Sequence, residues 1–370
     1  LGYYLVGFNK FVNKTLALIE SKKTKYAVKW VFNDDVYSAV DWSVPIAKSL
    51  PQLYAARAKQ LREQYDYIAL YYTGGADSNN ILLSFLDNGL FIDEIVMQLP
   101  EPDRKNFNNT DMSNRNIYGE IDFVAVPYLN SIKHKIHPNT KLRFQDFSKS
   151  LIELLRHDNW FETNTPGTNI CLGVIGRQAT SLYENHILKL IDNGKRCCQL
   201  LGVDKPLVYF DGVNYYAYFT DSSAMHAAPV TLNKEEIYHK HYITEFFYWT
   251  PEMPEIVIKQ AQEIKAQCEI DPNKKHLWST SLNVHIGEFR KVMHPIIYPG
   301  LPEPVFQTEK PDSKIIRDQD LWFWNTASDE VKHNYLDVIK YLEENISKDS
   351  GIQQDIKNGL SSTNTKFYKL

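Results

Sequence analysis

The stretch Tyr67-Ile68-Ala69-Leu70-Tyr71-Tyr72-Thr73-Gly74-Gly75-Ala76-Asp77-Ser78 decides the fold of this chain. Its first half is an unbroken apolar and aromatic run, the pattern of a strand buried on both faces. Beyond the glycines, Ile81, Leu82, Phe85 and Leu86 share one face at helical spacing, and Gly89 is a stop signal. A strand, a turn with paired glycines and a helix N-terminus together make an anion cradle. Glycine lets the backbone approach a ligand closely, and first-turn N–H groups with no intrahelical acceptor favour negative charge. A plainer reading of the same residues is a Gly-Gly turn leading into a helix capped by Asp77 or Ser78.

Alternating helices and strands extend outward from this unit. A helix is expected over 46–65, the first core strand over 66–72 and the loop helix over 77–88. Further strands fit Ile92 to Leu99, Lys141 to Phe147 and Arg196 to Gly202. Steps of three and four from Tyr118 to Ile136 predict a helix kinked near Pro127. Helices are also expected over 148–157 and roughly 173–192. This alternation predicts an α/β domain with a parallel sheet covered on both faces. Asp211-Gly212 between two aromatic runs predicts a hairpin of Leu207 to Phe210 with Tyr215 to Phe219.

Residues 1–60 read as a preface, strand-rich or irregular over 1–45, ahead of the main domain at 61–230. From about Asn233 the pattern is mostly helical, giving a second domain at 231–355. Its five prolines from Pro295 to Pro311 predict an extended crossing loop, and the polar stretch 356–370 predicts a tail.

Composition narrows the function classes. The chain has 370 residues, 43% hydrophobic, a net charge of −4 and a pI near 6.3. That balance provides no electrostatic reason to expect nucleic acid or a membrane surface as partner. No apolar stretch approaches membrane-spanning length and no secretory leader is visible, so a cytoplasmic protein is expected. Cys171, Cys197, Cys198 and Cys268 form neither a disulfide framework nor a C-x-x-C zinc pair. Adjacent Cys197 and Cys198 should point to opposite faces of their strand. The pairs His134/His137 and His239/His241 lack a third ligand nearby.

Thr73 to Ser78 match the pattern [ST]-G-G-x-D-[ST], and the chain resembles the PP-loop ATP pyrophosphatases on these residues. A chance match in a chain this long has odds of roughly one in a thousand. Neither G-x-x-x-x-G-K-[ST] nor G-x-G-x-x-G is present. The resemblance covers 60–210 in element order and is sharp only at 73–78; it extends loosely to bacteriophage and bacterial PP-loop proteins grouped with phosphoadenylylsulfate reductases or asparagine synthetases. It implies a parallel twisted sheet of the adenine nucleotide alpha-hydrolase (HUP) type, with ATP and Mg²⁺ as cofactors. Thr73, Gly74, Gly75, Ala76, Asp77 and Ser78 would hold the phosphates, with Thr73 where the family usually has Ser.

The fourth strand ends in Gly202-Val203-Asp204-Lys205-Pro206, where the resemblance implies further site residues. Gly202 would let nucleotide approach the backbone, Asp204 and Asp77 would contact Mg²⁺, and Lys205 would neutralise the departing pyrophosphate. A Gly-x-Asp-x-Pro turn with a solvated lysine is the plainer alternative. Arg177 is a phosphate or substrate candidate, or a surface ion pair.

The implied reaction is adenylation of an acceptor oxygen, a carboxylate or a carbonyl, followed by attack of an amine or ammonia. Asp77 and Lys205 are the candidate catalytic residues. The acceptor is an unidentified small molecule or nucleobase, and association into a homo-oligomer is left open. A sulfur-transfer or sulfonucleotide enzyme, which needs a reactive thiol such as Cys171, is one alternative; a nucleotide-binding module without turnover is another. No N-terminal catalytic cysteine marks a fused glutaminase.

Overall fold

A computed structural model describes residues 2–102, 104, 116, 118–164, 172–173, 175–176, 185–202, 205–221, 242–271, 273, 286–301, 320–346 and 363–370. The chain opens with an antiparallel sheet of β1 (Tyr3–Val6), β2 (Asn9–Phe11) and β3 (Val28–Val31), in the order β2-β1-β3. Helix α1 (Lys14–Thr24) runs between β2 and β3, capped by the Asn13 side chain, which accepts from Leu16 N. The preface is therefore an ordered α+β layer. Helices α2 (Asp34–Ala39) and α3 (Leu50–Gln64) follow. A capping box between Ser49 and Gln52 sets the start of α3, because each side chain satisfies the other's backbone N–H.

The central layer is a five-stranded, all-parallel sheet: β4 (Tyr67–Tyr71), β5 (Glu94–Leu99), β6 (Lys141–Asp146), β7 (Cys197–Leu201) and β10 (Tyr242–Phe246). Spatially they run β10-β7-β4-β5-β6, so strand order reverses between β4 and β7. Helix α4 (Ala76–Leu86) leaves β4, and α5 (Val126–Ser131) continues a π-helical segment at Glu120–Ala125. A helix stands at the expected place, and Pro127 sits in the first turn of α5, where the π-helical segment gives way to it. Helices α6 (Ser148–Leu154), α7 (Trp160–Asn164) and α8 (Asn185–Asp192) follow.

Helices cover both sheet faces. Ile68, Leu70, Ile95, Met97 and Leu200 face a core that includes Leu61 of α3 and Ile81, Leu82 and Phe85 of α4. Tyr67, Ala69, Tyr71 and Val96 face the opposite way, against Ile187 and Ile191 of α8. Cys197 and Cys198 divide between these two cores, as the period of a strand requires.

The hairpin of β8 (Leu207–Phe210) and β9 (Tyr215–Tyr218) forms as expected, closed by Asp211 Oδ1 accepting from Val213 N and Asn214 N at 2.8 and 2.7 Å. Helices α9 (Glu255–Ile270), α10 (Ile286–Ile297), α11 (Leu321–Thr326) and α12 (Asp329–Asn345) make up most of the described residues beyond β10, and β11 (Tyr368–Lys369) follows them.

Three expectations for the second half are corrected. β10 lies beyond residue 231, in the stretch read as helical, yet it pairs with β7 along Tyr242–Phe246. Its Glu245 interrupts an apolar run because it pairs with Arg57 of α3 at 2.7 Å. Pro295 lies inside α10, so the crossing loop does not begin there. Of the expected tail at 356–370, the described residues 363–370 are packed: β11 pairs with β9, and Thr363, Thr365, Tyr368 and Leu370 are buried. Polar composition misled here because Thr365 uses its polar groups on the backbone, its N–H donating to Phe219 O and its Oγ1 accepting from Phe219 N.

Aromatic side chains join the layers. Trp249, just past β10, packs between Phe32 and Phe219 with centroids 4.0 and 4.2 Å away, and Trp42 stacks on Tyr368. A buried ion pair sits nearby: Lys14 Nζ lies 2.8 Å from Asp221 Oδ2, which also accepts from the Tyr4 hydroxyl at 2.7 Å. Asp221 Oδ1 accepts from Thr363 N at 2.8 Å, so one carboxylate ties the first sheet to the end of the chain. Asp221→Asn should lower the unfolding free energy in urea titrations by about 3 kcal/mol or more, because Lys14 stays buried opposite a neutral group. A change within a few tenths of a kcal/mol would contradict that assignment.

Candidate functional site

The cradle begins where β4 ends. Tyr72 continues the strand and its hydroxyl donates to Asn79 Oδ1; Asn79 Nδ2 in turn donates to Gly74 O at 2.8 Å. Ser78 Oγ donates to Gly75 O at 3.1 Å, and Asn79 N donates to the same carbonyl. Both glycine carbonyls are thus held by the first turn of α4. Since a peptide's N–H points opposite its C=O, the amides of Gly75 and Ala76 face the other way, where Gly75 N donates to Thr73 Oγ1 at 3.4 Å. Gly75 is the N-cap and has no side chain to satisfy the first-turn N–H groups.

Gly74 has φ +78°, a left-handed conformation that costs a side chain dearly. A Cβ there would lie 2.8 Å from Ala125 N, at the end of the π-helical segment. The missing side chain lets Ala125 back the turn directly. Thr73 and Gly75 are exposed, while Gly74, Ala76 and Ser78 are buried and Asp77 is half-buried. Of the expected phosphate-binding residues, Thr73 and Gly75 therefore present the outer surface. Ser78 instead closes the loop from inside.

Lys205 reaches this turn from the far side of the order reversal. Its Nζ lies 2.6 Å from both Asp77 Oδ1 and Oδ2, and its side chain is only 11% exposed. Gly202 makes the approach possible: a Cβ on it would sit 3.1 Å from Asp77 Cβ and 3.3 Å from Ile81 Cδ1. Its role in this structure is close passage past α4. Open parallel sheets bind ligands at the carboxyl ends of strands where their order reverses, and the turn and Lys205 occupy that place.

The Asp77 carboxylate carries more partners. Tyr298 donates its hydroxyl to Oδ1 at 2.5 Å, and Tyr248 donates to the Asp77 main-chain oxygen at 2.8 Å. Desolvation pushes the carboxyl upward, but the charges of Lys205 and His294 and the hydrogen bonds from Lys205 and Tyr298 outweigh it and hold the pKa at about 2. Asn79, Ala125, Tyr248, His294 and Tyr298 were not among the sequence candidates. Asn79 stood within reach, one residue past the motif; the others come from segments with no local signature.

Asp204 and Arg177, expected at a metal and at phosphate, lie outside the described residues, as does Cys171. Among the described residues no three His, Cys, Asp or Glu side chains converge as a metal group, and no helix is long and apolar enough to cross a membrane. No protein-family model matches this chain, and no curated protein matches it either.

Two outcomes follow from this geometry. Gly74→Ala should cost on the order of 1–3 kcal/mol of stability, from left-handed strain and the collision with Ala125; an unchanged melting temperature would refute the packing described. The depressed Asp77 pKa contributes stability that is present above about pH 4 and lost as pH falls toward 2, on the order of 2 kcal/mol. The stability difference between wild type and Asp77→Asn should therefore shrink across that window, and a constant difference would count against it.

Proposed function

We propose that this chain is an ATP pyrophosphatase-type enzyme that adenylates an acceptor oxygen and releases pyrophosphate, leaving AMP to be displaced by an amine or ammonia. The observation that carries this reading is Lys205 held 2.6 Å from Asp77, two residues past the exposed Gly75 of a glycine turn at the sheet's order reversal. The turn's outward amides suit phosphate oxygens, and a lysine beside them suits the charge that grows on departing pyrophosphate. An adenine-nucleotide fold of the HUP type belongs to the same proposal, since the parallel sheet with helices on both faces is compatible with it.

The chain's residues would divide the work as follows. Thr73, Gly75 and the Ala76 amide would orient the phosphates, and Lys205 would stabilise the leaving group. Asp77 would hold Lys205 in place. Mg²⁺ would screen the phosphate charge; Asp77 Oδ2, which accepts only from Lys205 in the contacts described, would keep a lone pair for it, while Oδ1 accepts from both Lys205 and Tyr298. A free amine or ammonia needs no general base from the protein.

The sulfur-transfer alternative finds less support among the described cysteines. Burial pushes the Cys197 thiol up to about 12 and Cys198 well above its ordinary range, and Cys268 is buried. Cys197 and Cys198 are neutral thiols near pH 7, unsuited to attack.

The deciding experiment supplies ATP, Mg²⁺, ammonium and a panel of carboxylate acceptors to the full chain and measures pyrophosphate. We expect acceptor-dependent release that falls by about 10²-fold or more in Lys205→Met and is unchanged in Cys197→Ser. Nucleotide binding without pyrophosphate from any acceptor would favour the non-catalytic module, and no nucleotide binding by calorimetry would end the reading.

A further inference from the structure

Asp77 is surrounded by tyrosines that come from parts of the chain far from its loop. Tyr298 follows α10 and donates to Oδ1 at 2.5 Å, while Tyr248 follows β10 and holds the main-chain oxygen at 2.8 Å. Asn80 Nδ2 donates to the Tyr248 hydroxyl at 2.9 Å, tying that ring to α4 itself. Behind them, Tyr54 of α3 donates to Ile297 O at 2.6 Å and accepts from Gln260 Nε2 of α9 at 2.9 Å. The neighbour of Tyr298 is thus fixed, and Tyr298 N is held by His294 O at 2.8 Å. The three rings pack on one another and are buried.

This arrangement is more specific than a hydrophobic clasp. A carboxylate held by one flexible lysine can rotate about its side-chain torsions, and the lysine moves with it. A second donor, rigid and buried, selects a single orientation; networks of this kind are favourable only when their members are satisfied together. Removing the phenol oxygen would leave the ring packing intact and release only that orientation.

Resting on the phosphate-binding reading of the 73–78 turn, we propose that Tyr298 is a positioning residue of that site: its hydroxyl orients the Asp77 carboxylate so that Lys205 is held where pyrophosphate charge develops. It does not touch the phosphates itself. The second half of the chain thereby completes a site whose recognisable motif lies entirely in the first half. The groups facing Asp77 are Lys205, His294, Tyr298, Tyr248 and Tyr54, so any pH effect reports on that set.

The test uses the full chain and Tyr298→Phe. Three quantities are read: the titration of the Asp77 carboxyl by ¹³C NMR in ligand-free protein, assigned with Asp77→Asn; affinity for inorganic pyrophosphate; and the pH profile of pyrophosphate release at saturating ATP. We expect Asp77 to titrate at higher pH and the acid limb of turnover to move upward with it. Turnover should fall about 10-fold or more and pyrophosphate should bind more weakly by a comparable factor, because the charge that Lys205 meets is fully present in pyrophosphate. Replacing Tyr298 by 3-fluorotyrosine, a stronger donor of nearly the same volume, keeps the fold and should move both titrations the opposite way. If neither replacement moves the acid limb or turnover, Tyr298 merely staples α10 to α4 and the inference is overturned while the enzyme reading stands. If wild type binds neither pyrophosphate nor ATP, both fall together.

Discussion

The Asp77 carboxylate is the point at which three distant stretches of this chain converge. It begins the helix after the first core strand, receives Lys205 from beyond β7, and receives Tyr298 from beyond α10. The Lys205 contact depends on the parallel sheet placing β7 beside β4 although two strands intervene in sequence. Were β7 elsewhere, Lys205 could not span the gap. Gly202 supplies the remaining clearance, because any side chain there would press on Asp77 and Ile81. The candidate site therefore results from strand order as much as from the glycine turn.

Two further buried ionic contacts repeat this logic away from the site. Arg57 is buried beneath Glu245 and Glu252, joining α3 to β10 and the segment after it. Lys14 and Asp221 join α1 to the end of the hairpin layer and to the closing strand. Buried ion pairs add little net stability, since desolvation offsets much of their attraction, but an arrangement that separates them is strongly penalised. Apolar burial stabilises the fold, through the two cores and the aromatic stack around Trp249. The ion pairs act on choice of arrangement: they make misdocked layers costly.

Legibility in the sequence varied with how local each signal was. β4, the glycine turn and α4 were readable within one or two residues, because apolar run, turn chemistry and helical spacing agree inside a short window. The hairpin was equally plain from Asp211-Gly212. α1 in the preface was missed, as its polar surface hides the buried Ala17, Leu18 and Ile19. β10 was missed because Glu245 looks solvated until Arg57 is placed opposite it. The closing strand was missed because the Thr363 backbone pairs with Asp221 and Thr365 pairs with Phe219, partners more than a hundred residues away.

The amino-acid string by itself determined a strand, a Gly-Gly turn and a helix start able to turn backbone amides outward. These depend on φ freedom, hydrophobic period and first-turn hydrogen bonding, all set by residues within a dozen positions of one another. Only the tertiary structure decided which charges meet at that turn: that Lys205 clasps both oxygens of Asp77, that Tyr298 and Tyr248 close around it, and that Ala125 fills the space Gly74 leaves. The reason is range. Packing and electrostatic contacts act between atoms that are close in space, and no local pattern records which distant segments the sheet brings together.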